Sequence, residues 1–449
     1  MLKRYIFTFS FFAFAISVLA QVTQSLSTYA DKCSNIKIGT AVGYQFYYEY
    51  DTNSQYDKVI KDNFNILVAE NEMKYDATEP TKGVFSFTKP DILVNYAQKY
   101  SKQVRGHTLC WHSQLPSWIT AGLTSGTANG TFTRATLLAI LKNHITTIVT
   151  RYKGKVQQWD VVNEPFSDSA GALRNSIWQQ VIGNDYIDSA FVWAHKADPD
   201  AKLYLNEYGG ELYGTTKSNA IYNLVTAMKT RGIPISGVGL QCHFTVSSIN
   251  FTKLDQNIKR YGTAGLETII TELDIRIAKT DYAADSTKML TAQASDYLNM
   301  IRECLNNTNA KTYVTWGFTD KYSWIPSFTA TTGNGPASDY SLLFNTFYVA
   351  KPAYTSILNE LATVSANTGI DVVSSENELK YSVSNNYINI ESSSIVNQCR
   401  MFDLQGRILF HANVKDNIIQ IPLSNILHGL YILSVQMKTG ESISKKVLL

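Results

Sequence analysis

The sequence predicts an α/β protein that folds as a (β/α)8 TIM barrel and is followed by a small all-β sandwich domain. From about residue 36 to residue 362, eight short apolar runs alternate with stretches of helical periodicity. Beyond residue 362, short alternating runs and turn residues replace that pattern, and all 7 tryptophans lie between Trp111 and Trp324. The 449 residues therefore divide into one large and one small domain. A doubly wound sheet is the alternative for the first domain, because periodicity separates the two folds only weakly.

The eight apolar runs are the predicted barrel strands, since each is short and rich in aliphatic or β-branched residues. In chain order they are Lys37–Ala41, Asn65–Glu70, Val104–Leu109, Val156–Val162, Lys202–Asn206, Gly237–Gln241, Thr268–Glu272 and Thr312–Trp316. The stretches between them place apolar residues at helical spacing, as Leu137, Leu141, Ile145 and Ile148 do before the fourth strand.

The N-terminus has the pattern of a secretory signal peptide over residues 1–20. Lys3 and Arg4 precede the apolar run Tyr5–Leu19, and Ala20 is small enough for the position before a cleavage site. This run is short for a bilayer core, which takes about 20 residues, so a membrane anchor is the less favoured interpretation. We therefore expect the chain to be exported.

The domain boundary is predicted from a change in texture. Thr363–Gly369 is rich in small and polar residues, and nine of the ten prolines precede residue 353. Further on, Gln405-Gly406 separates two alternating runs, which is a hairpin signal. We predict a barrel domain at 21–362, a linker at 363–375 and a β-sandwich domain at 376–449.

Charge and cysteine content exclude several classes of function. The net charge is 40 − 37 = +3, or +1 once Lys3 and Arg4 are removed, so the chain has no electrostatic footprint for nucleic acid. A neutral polymeric ligand is compatible with this balance. The 5 cysteines are an odd number without a C-x-x-C pair, which indicates buried free thiols rather than a disulfide framework or a zinc site.

Polar and acidic residues recur at the carboxyl ends of the predicted strands, which meet at one mouth of a barrel. They are Glu70, Asn71, His107, Asn163, Glu164, Asn206, Glu207, Gln241, His243, Glu272 and Asp274, together with Trp316. Glu164 and Glu272 end different strands and form a candidate acid and nucleophile pair for glycoside hydrolysis, which retains configuration at about 5–5.5 Å separation. Taken singly, either glutamate could instead belong to a structural ion pair.

Residues 36–358 resemble glycoside hydrolase family 10, whose members are mainly endo-1,4-β-xylanases. Six blocks carry the resemblance in order: Asn71–Asp76 with Pro80 and Gly83–Phe87, Gly106–Trp118, Trp159–Glu164, Thr271–Asp274, Trp316–Trp324 and Lys351–Tyr354. The resemblance implies a secreted, retaining enzyme that cleaves internal β-1,4-xylosidic bonds of xylan and needs no cofactor and no metal. A β-glucanase of the family-5 type, which also carries Asn-Glu-Pro, and an inactive xylan-binding protein are the alternatives.

The same resemblance implies the roles of individual residues. Glu272 would be the nucleophile and Glu164 the acid and base, which requires Glu272 ionised and Glu164 protonated at rest. The residues implied to bind the sugar beside the cleaved bond are Glu70, Asn71, Lys74, His107, Trp111, Asn163, Gln241, Trp316 and Trp324. Among these, Asn163 matches the asparagine that contacts the 2-hydroxyl, and Trp316 and Trp324 match aromatic walls.

His243 and Asp274 are expected to orient the nucleophile. On an extended strand Gln241 and His243 would both face the barrel axis with Cys242 facing away, and Asp274 would share the face of Glu272. The matching family residues hold the nucleophile by hydrogen bonds. A core histidine is the alternative for His243, and the spacing of His107, His112 and His243 fits no metal-ligand motif.

Three positions depart from the family pattern. Tyr75 replaces a common tryptophan, Glu207 stands where aspartate is usual, and Asn345 stands where aspartate is frequent. None belongs to the proposed catalytic pair. Glu207 and Tyr208 could alter binding on the reducing side.

Residues from about 376 resemble the C-terminal sorting domain of the type IX secretion system. Phe402–Arg407, Ile421–Ser424, His428–Ile432 and Lys445–Leu449 carry this resemblance. It implies that the secretion machinery is a partner and that the chain is secreted or placed at the cell surface by the outer-membrane route. A carbohydrate-binding module is the alternative, although the region has no tryptophan. We expect a monomer.

Overall fold

The computed structural model describes residues 25–33, 36–168, 171–332, 336–368, 379–384, 387–403, 406–423, 426, 430–438 and 442–448. The chain forms two compact units that divide between Ala362 and Thr363. The predicted signal peptide at 1–20 lies outside the described residues. None of the described helices is both long and apolar enough to cross a bilayer.

The first unit contains a closed barrel of eight parallel strands. They are β1 Lys37–Val42, β2 Ile66–Ala69, β3 Gln103–Gly106, β6 Gln158–Asn163, β7 Lys202–Glu207, β8 Gly237–Leu240, β10 Glu267–Ala278 and β11 Thr312–Thr315. Each strand pairs in parallel with the next, and β11 pairs with both β10 and β1 to complete the ring. This closure confirms the predicted barrel and excludes the doubly wound sheet.

Among the described residues of the first unit, four short strands lie outside the ring. They are β4 Leu123–Thr124, β5 Thr127–Ala128, β9 His243–Thr245 and β12 Ser338–Asp339. The first two form a small hairpin, whereas β9 and β12 pair with the extension of β10 beyond the ring. This extension of β10 lies near the mouth of the barrel and helps to position the site.

Helices follow the strands along the chain, as the alternating pattern predicts. They are α1 Leu26–Lys32, α2 Phe46–Glu49, α3 Gln55–Asn63, α4 Tyr75–Thr78, α5 Thr88–Lys99, α6 Ser117–Thr120, α7 Arg134–Arg151, α8 Ile177–Ile182, α9 Tyr186–Ala197, α10 Thr216–Thr230, α11 Phe251–Thr263, α12 Lys279–Ala284, α13 Ser286–Asn306, α14 Ile325–Thr332 and α15 Pro352–Thr368. Side chains cap several N-termini, as Thr133 caps α7 and Asn250 caps α11. Helix α7 buries Leu137, Leu141 and Ile145, so its apolar stripe faces the barrel.

The neighbouring strands β3 and β6 are packed closely enough to require glycine at the end of β3. A Cβ atom at Gly106 would lie 2.1 Å from the ring of Trp159, which is fully buried on the neighbouring strand. The glycine therefore allows the indole to pack directly against β3, on the face of β6 opposite Gln158 and Asp160.

The second unit is an antiparallel β domain. Its strands are β13 Leu379–Ser384, β14 Tyr387–Phe402, β15 Ile408–Pro422, β16 Leu430–Met437 and β17 Ser442–Leu448. Strand β14 pairs with β13, β15 and β16, and its register shifts between Glu391 and Val396. Residues on both sides of this shift, such as Ile390 and Met401, pack into one buried core. Strands β14 and β15 pair antiparallel, and Gly406 between them is in the left-handed conformation, whereas Gln405 of the predicted hairpin turn lies outside the described residues.

The linker predicted at 363–375 needs correction. Helix α15 continues to Thr368, because Ile357, Leu361 and Ser365 are buried at the four-residue spacing of one helix face. Residues 363–368 are therefore helical, and residues 369–378 lie outside the described residues.

All five cysteines are buried and unpaired, as predicted. They are Cys33, Cys110, Cys242, Cys304 and Cys399. Burial raises the pKa of the Cys110 and Cys242 thiols well above the usual range, which keeps both as neutral apolar side chains.

Candidate active site

A cleft of about 860 Å³ opens at the carboxyl ends of the barrel strands. Twelve of the thirteen predicted site residues line it: Glu70, Asn71, Lys74, His107, Trp111, Asn163, Glu164, Gln241, His243, Glu272, Trp316 and Trp324. The thirteenth, Asp274, is buried and hydrogen-bonds to His243, which does line the cleft. The topology thus brings all thirteen together from the ends of six barrel strands or the segments that follow them.

Glu164 is presented to the cleft by an unusual backbone conformation. It follows the last residue of β6 with φ +52°, a left-handed value that is uncommon for a residue with a side chain. Two main-chain hydrogen bonds hold it there: its N–H donates to the carbonyl of Asn206 at 2.9 Å, and its carbonyl accepts from Arg174 Nε at 3.3 Å. Its carboxylate accepts from Trp111 Nε1 at 2.8 Å and from Gln241 Nε2 at 3.0 Å.

Glu272 lies inside β10 and is 5% exposed. One carboxylate oxygen accepts from Asn206 Nδ2 at 2.7 Å, and the other lies 3.3 Å from His243 Nε2. Burial by itself would raise the pKa of this carboxyl, but the hydrogen bond with His243, the electrostatic effect of His107 and His243, and the Asn206 amide lower it to about 2. Glu272 is therefore ionised at neutral pH.

Asp274 and Trp324 fix the orientation of His243. Asp274 Oδ2 lies 2.9 Å from His243 Nδ1 and accepts from Trp324 Nε1 at 2.8 Å. The Trp324 ring also packs edge-on against the imidazole, with 5.1 Å between centroids. Burial would lower the pKa of His243, but the charge and hydrogen bond of Asp274, together with Glu272, raise it to about 10. A positively charged imidazole thus lies between two carboxylates.

A chain of side-chain amides connects the two glutamates. Gln241 Nε2 donates to Glu164 and, at 3.4 Å, to Asn163 Oδ1. Asn206 Nδ2 donates to the same Asn163 oxygen at 2.9 Å and to Glu272. Every amide in this chain has its orientation set by a neighbour, so the relative position of the two carboxylates is constrained by the network.

Gln241 and His243 both face the cleft, but the predicted cause, alternation along one extended strand, is wrong. The chain is not one extended strand there, because Cys242 adopts φ +63° and separates β8 from β9. The Cys242 N–H donates to the buried Glu211 carboxylate at 3.2 Å. Gln241 and His243 still line the cleft and Cys242 is buried behind it, but a left-handed residue rather than strand alternation produces this arrangement.

One wall of the cleft is formed by the loops after β2 and β3. Lys74 Nζ donates to Asn71 Oδ1 at 3.0 Å and to Gln114 Oε1 at 2.6 Å, and it lies 4.9 Å from the centre of the Trp111 ring. Burial lowers the pKa of Lys74, although nearby glutamates oppose this shift. These contacts form a rigid polar wall with an aromatic face.

His107 is held from behind by a buried ion pair. Its Nδ1 lies 2.9 Å from Asp160 Oδ2, and the other oxygen of Asp160 binds Arg105. The imidazole packs edge-on against Trp316, with 5.2 Å between centroids. This arrangement leaves Nε2 as the polar atom of His107 toward the cleft.

Sequence reasoning missed several residues that the structure places in or behind the site. Asn206 binds Glu272 directly, a role that its place among the polar strand ends does not reveal by itself. Gln114 belongs to the block Gly106–Trp118 and could have been found from its polarity there. Asp160, by contrast, reads as one more residue of a buried strand, and only the pairing of β3 with β6 shows that it faces His107.

The three departures from the family pattern have local explanations. Tyr75 stacks on the buried His144 at 3.5 Å between ring centroids. Asn345 Oδ1 accepts from the N–H groups of Phe347 and Val349, so it stabilises a turn.

Glu207, the third departure, is fully buried behind the cleft. Its carboxylate pairs with Lys217 Nζ at 3.0 Å and accepts from the N–H of Phe166. Burial raises the pKa of Glu207 to about 8, although Lys217 opposes this shift. Glu207 therefore braces the segment that follows Glu164.

The site residues do not assemble a metal centre. His107 and His243 are committed to Asp160 and to Asp274 with Glu272. Among the residues that the structure describes, no group of three or more His, Cys, Asp or Glu side chains is placed to hold a metal ion.

Two glutamates, each hydrogen-bonded to its own neighbours, lie between aromatic walls at the mouth of a (β/α)8 barrel. This arrangement defines the class of barrel glycosidases. Residues 25–360 match glycosyl hydrolase family 10, and residues 384–449 match a secretion system C-terminal sorting domain. The chain therefore belongs to glycosyl hydrolase family 10.

Known relatives agree with this assignment. The chain is 39% identical over 323 residues to endo-1,4-beta-xylanase B of Thermotoga neapolitana, covering 72% of this chain and 88% of the relative. It is 39% identical over 308 residues to endo-1,4-beta-xylanase A of Phanerodontia chrysosporium, covering 68% and 70%. Xylanase 10B from Thermotoga petrophila, solved in complex with xylobiose, superposes with a TM-score of 0.69 at 38% identity over 76% of this chain and 98% of that chain.

Proposed function

We propose that the protein is a secreted endo-1,4-β-xylanase that cleaves internal bonds of xylan by a retaining double displacement. The observation that carries this proposal is the contrast between the two glutamates in one cleft. Glu272 is buried and held ionised by His243 and Asn206. Glu164, by contrast, is a loop residue in the left-handed conformation, and its carboxylate accepts hydrogen bonds from Trp111 and Gln241. Sequence relatives at 39% identity carry the name of this activity.

In the first step, the Glu272 carboxylate attacks the anomeric carbon while Glu164 transfers its proton to the glycosidic oxygen. The carbon–oxygen bond to the leaving chain breaks, and an ester between Glu272 and the sugar forms. The low pKa of Glu272 supplies the ionised nucleophile. The positive charge of His243 stabilises the carboxylate before attack and disfavours its protonation.

In the second step, Glu164 acts as the base. It takes a proton from water, the water oxygen attacks the anomeric carbon, and the bond to Glu272 breaks to restore its carboxylate. Two inversions give net retention. Gln241 contacts Glu164 and connects through Asn163 and Asn206 to Glu272, so both steps use one constrained geometry.

Substrate positioning follows from the chemistry of the walls. Sugar rings have apolar C–H faces that pack on Trp316 and Trp324, while polar side chains bind the hydroxyls. Asn163 is the proposed partner of the 2-hydroxyl, a contact that strengthens in the transition state. Lys74, Asn71 and Gln114, together with Glu70, His107 and Trp111, would hold the sugar on the non-reducing side.

Substrate choice is the first test, since a β-1,4-glucanase is the second candidate. We expect the purified protein to release xylo-oligosaccharides of mixed length from xylan and to show little activity on carboxymethyl cellulose. Product analysis by chromatography measures both substrate class and internal cleavage. A preference for the cellulose derivative would replace the proposed function by the glucanase, and inactivity on both polymers would favour a binding protein.

The role of Glu272 can be tested by substitution. Glu272→Ala should reduce xylan hydrolysis by about 10⁴-fold or more, because the attacking group is removed. Sodium azide should restore turnover of activated aryl xylosides and yield a glycosyl azide of inverted configuration, since the small anion enters the vacated space. Asp62→Asn, on the exposed side of α3, is the control. Activity of Glu272→Ala at the level of that control would refute the assignment.

We propose that the C-terminal domain directs export through the type IX secretion system, after the residue 1–20 signal peptide has carried the chain across the inner membrane. Its support is the match of residues 384–449 to a sorting domain. A chain that ends at Thr368 should therefore keep its activity on soluble xylan but remain in the periplasm of a host that has this system, whereas the full chain reaches the surface or medium. Cell fractionation with the xylanase assay measures this.

The rival interpretation of the C-terminal domain predicts a different result. A carbohydrate-binding module would make residues 370–449, fused to an inert carrier, bind insoluble xylan in a pulldown assay. Retention on xylan, or secretion of the truncated chain at the level of the full chain, would contradict the sorting role.

A further inference from the structure

Arg276 carries a positive charge in the cleft that the proposed mechanism does not use. It lies in the extension of β10 beyond the ring, four residues after Glu272 and two after Asp274, so it shares their face of the strand. Its side chain is partly exposed and lines the cleft. We propose that Arg276 binds the carboxylate of a uronosyl branch on the xylan chain and thereby selects for acidic xylan.

The guanidinium of Arg276 is held in place but not neutralised. Its Nε donates to Thr245 Oγ1 at 3.1 Å, and Thr245 is its paired residue on β9. Within the part of the chain that the structure describes, no carboxylate forms an ion pair with Arg276, and its two terminal nitrogens have no hydrogen-bond acceptor. The planar fork can therefore bind a ligand carboxylate through both terminal nitrogens while Nε keeps its orientation.

The other described arginines of the barrel domain differ from Arg276 in this respect. Arg260 donates to the carbonyl of Ser218 and lies over three tyrosine rings. The remaining ones each pair with an aspartate or a glutamate: Arg105, Arg134, Arg151, Arg174, Arg231 and Arg302. Among the described residues of this domain, Arg276 is thus the arginine that keeps its charge available, and it does so inside the cleft.

Acidic side chains of the cleft have cations of their own. Glu272 lies 3.3 Å from Nε2 of the positively charged His243. Asp168 pairs with Arg174 at 2.9 Å. Neither of these acids therefore takes up the charge of Arg276, which remains for an anionic group of the substrate.

Arg276 lies across the mouth of the barrel from the polar wall. In the ring, β10 is four strands away from β3, so these two strands stand on opposite sides. The loops after β2 and β3 carry Lys74 and Gln114, which belong to the group proposed to hold the hydroxyls of the backbone. A branch that projects from a xylan chain between these two walls can reach Arg276.

The chemistry of xylan identifies the branch, and this step rests on the proposed function. The β-1,4-xylosyl backbone is neutral, and so are its arabinosyl and acetyl substituents, whereas a uronosyl branch carries a carboxylate that is ionised at neutral pH. The pairing of arginine with a carboxylate adds charge to the hydrogen bonds, which a neutral sugar cannot do. The uronosyl branch is therefore the substituent that uses the free charge of Arg276.

Two forms of one polymer provide the test. Glucuronoxylan is compared with the same preparation after its carboxyl groups have been reduced to alcohols, which keeps the backbone and the branch pattern but removes the charge. For the full chain we expect kcat/KM on glucuronoxylan to be about 3–10-fold higher than on the reduced polymer, the range of an accessible charge-assisted pair. This preference should shrink when NaCl is raised from about 20 to about 300 mM, because salt screens exposed charges.

Substitutions assign the preference to one side chain. Arg276→Ala should lower kcat/KM on glucuronoxylan to the value of the reduced polymer, and should change the value for the reduced polymer by less than about twofold. Arg276→Lys should keep part of the preference, because the charge stays while the fork is lost. Arg231→Ala is the matched control, since Arg231 pairs with Asp188 at 2.8 Å and does not line the cleft. It should leave both substrates unaffected.

Two results would overturn the role of Arg276 in binding branches. One is an equal loss on both polymers with Arg276→Ala, which would show that the side chain only braces β9 through Thr245. The other is equal activity of the unmodified chain on the two polymers. Both results leave the xylanase assignment intact, whereas inactivity of the unmodified chain on both polymers would refute the proposed function, and the role of Arg276 with it.

Discussion

A carboxylate that is removed from water stays ionised only if charges and hydrogen bonds replace its hydration, and Glu272 meets this condition through His243 and Asn206. The rest of the site depends on this interaction. His243 can supply positive charge because Asp274 binds its other nitrogen, and Asp274 is in turn held by Trp324. The same tryptophan lines the cleft, so the surface that receives a sugar also fixes the group proposed to attack it.

The barrel provides the geometry that this interaction requires. Asn206 is the penultimate residue of β7, His243 begins β9 after β8, and Glu272 lies in β10, so three neighbouring strand positions meet around one carboxylate. Glu164 arrives from β6 and is joined to the same network through Gln241 and Asn163. Because the network is continuous, a displacement of any one of these amides would move the two glutamates relative to each other. The site is therefore built on strand ends and on the residues that directly follow them, where the strands fix the geometry.

Much of this arrangement could be predicted from the sequence, for identifiable physical reasons. Alternating apolar runs and helical stretches define a parallel barrel, and a barrel collects the polar ends of its strands at one mouth. That logic leads to Glu164 and Glu272 without coordinates.

Features that depend on contacts between distant segments were not predictable in this way. The left-handed Cys242 interrupts a strand that looks regular, and it does so with its N–H bound to Glu211 from another loop. The helical residues 363–368 look like a linker by composition, yet Ser365 is buried on the face of α15. The edge-on contact between the rings of Tyr44 and Tyr322 joins the loop after β1, the first barrel strand, to the segment after β11, the last.

The ionisation of Glu272 can be measured directly by ¹³C NMR on protein labelled at the glutamate carboxyl carbons, with Glu272→Gln used to assign the resonance. The pKa of this carboxyl lies at about 2, below its ordinary value, so it protonates only when the pH falls through that region. We expect the resonance to remain that of a carboxylate at about pH 3.5, where an ordinary glutamate is mostly protonated. A Glu272 resonance that titrates at or above the ordinary value would contradict the account, because the nucleophile would then not be held ionised by its neighbours.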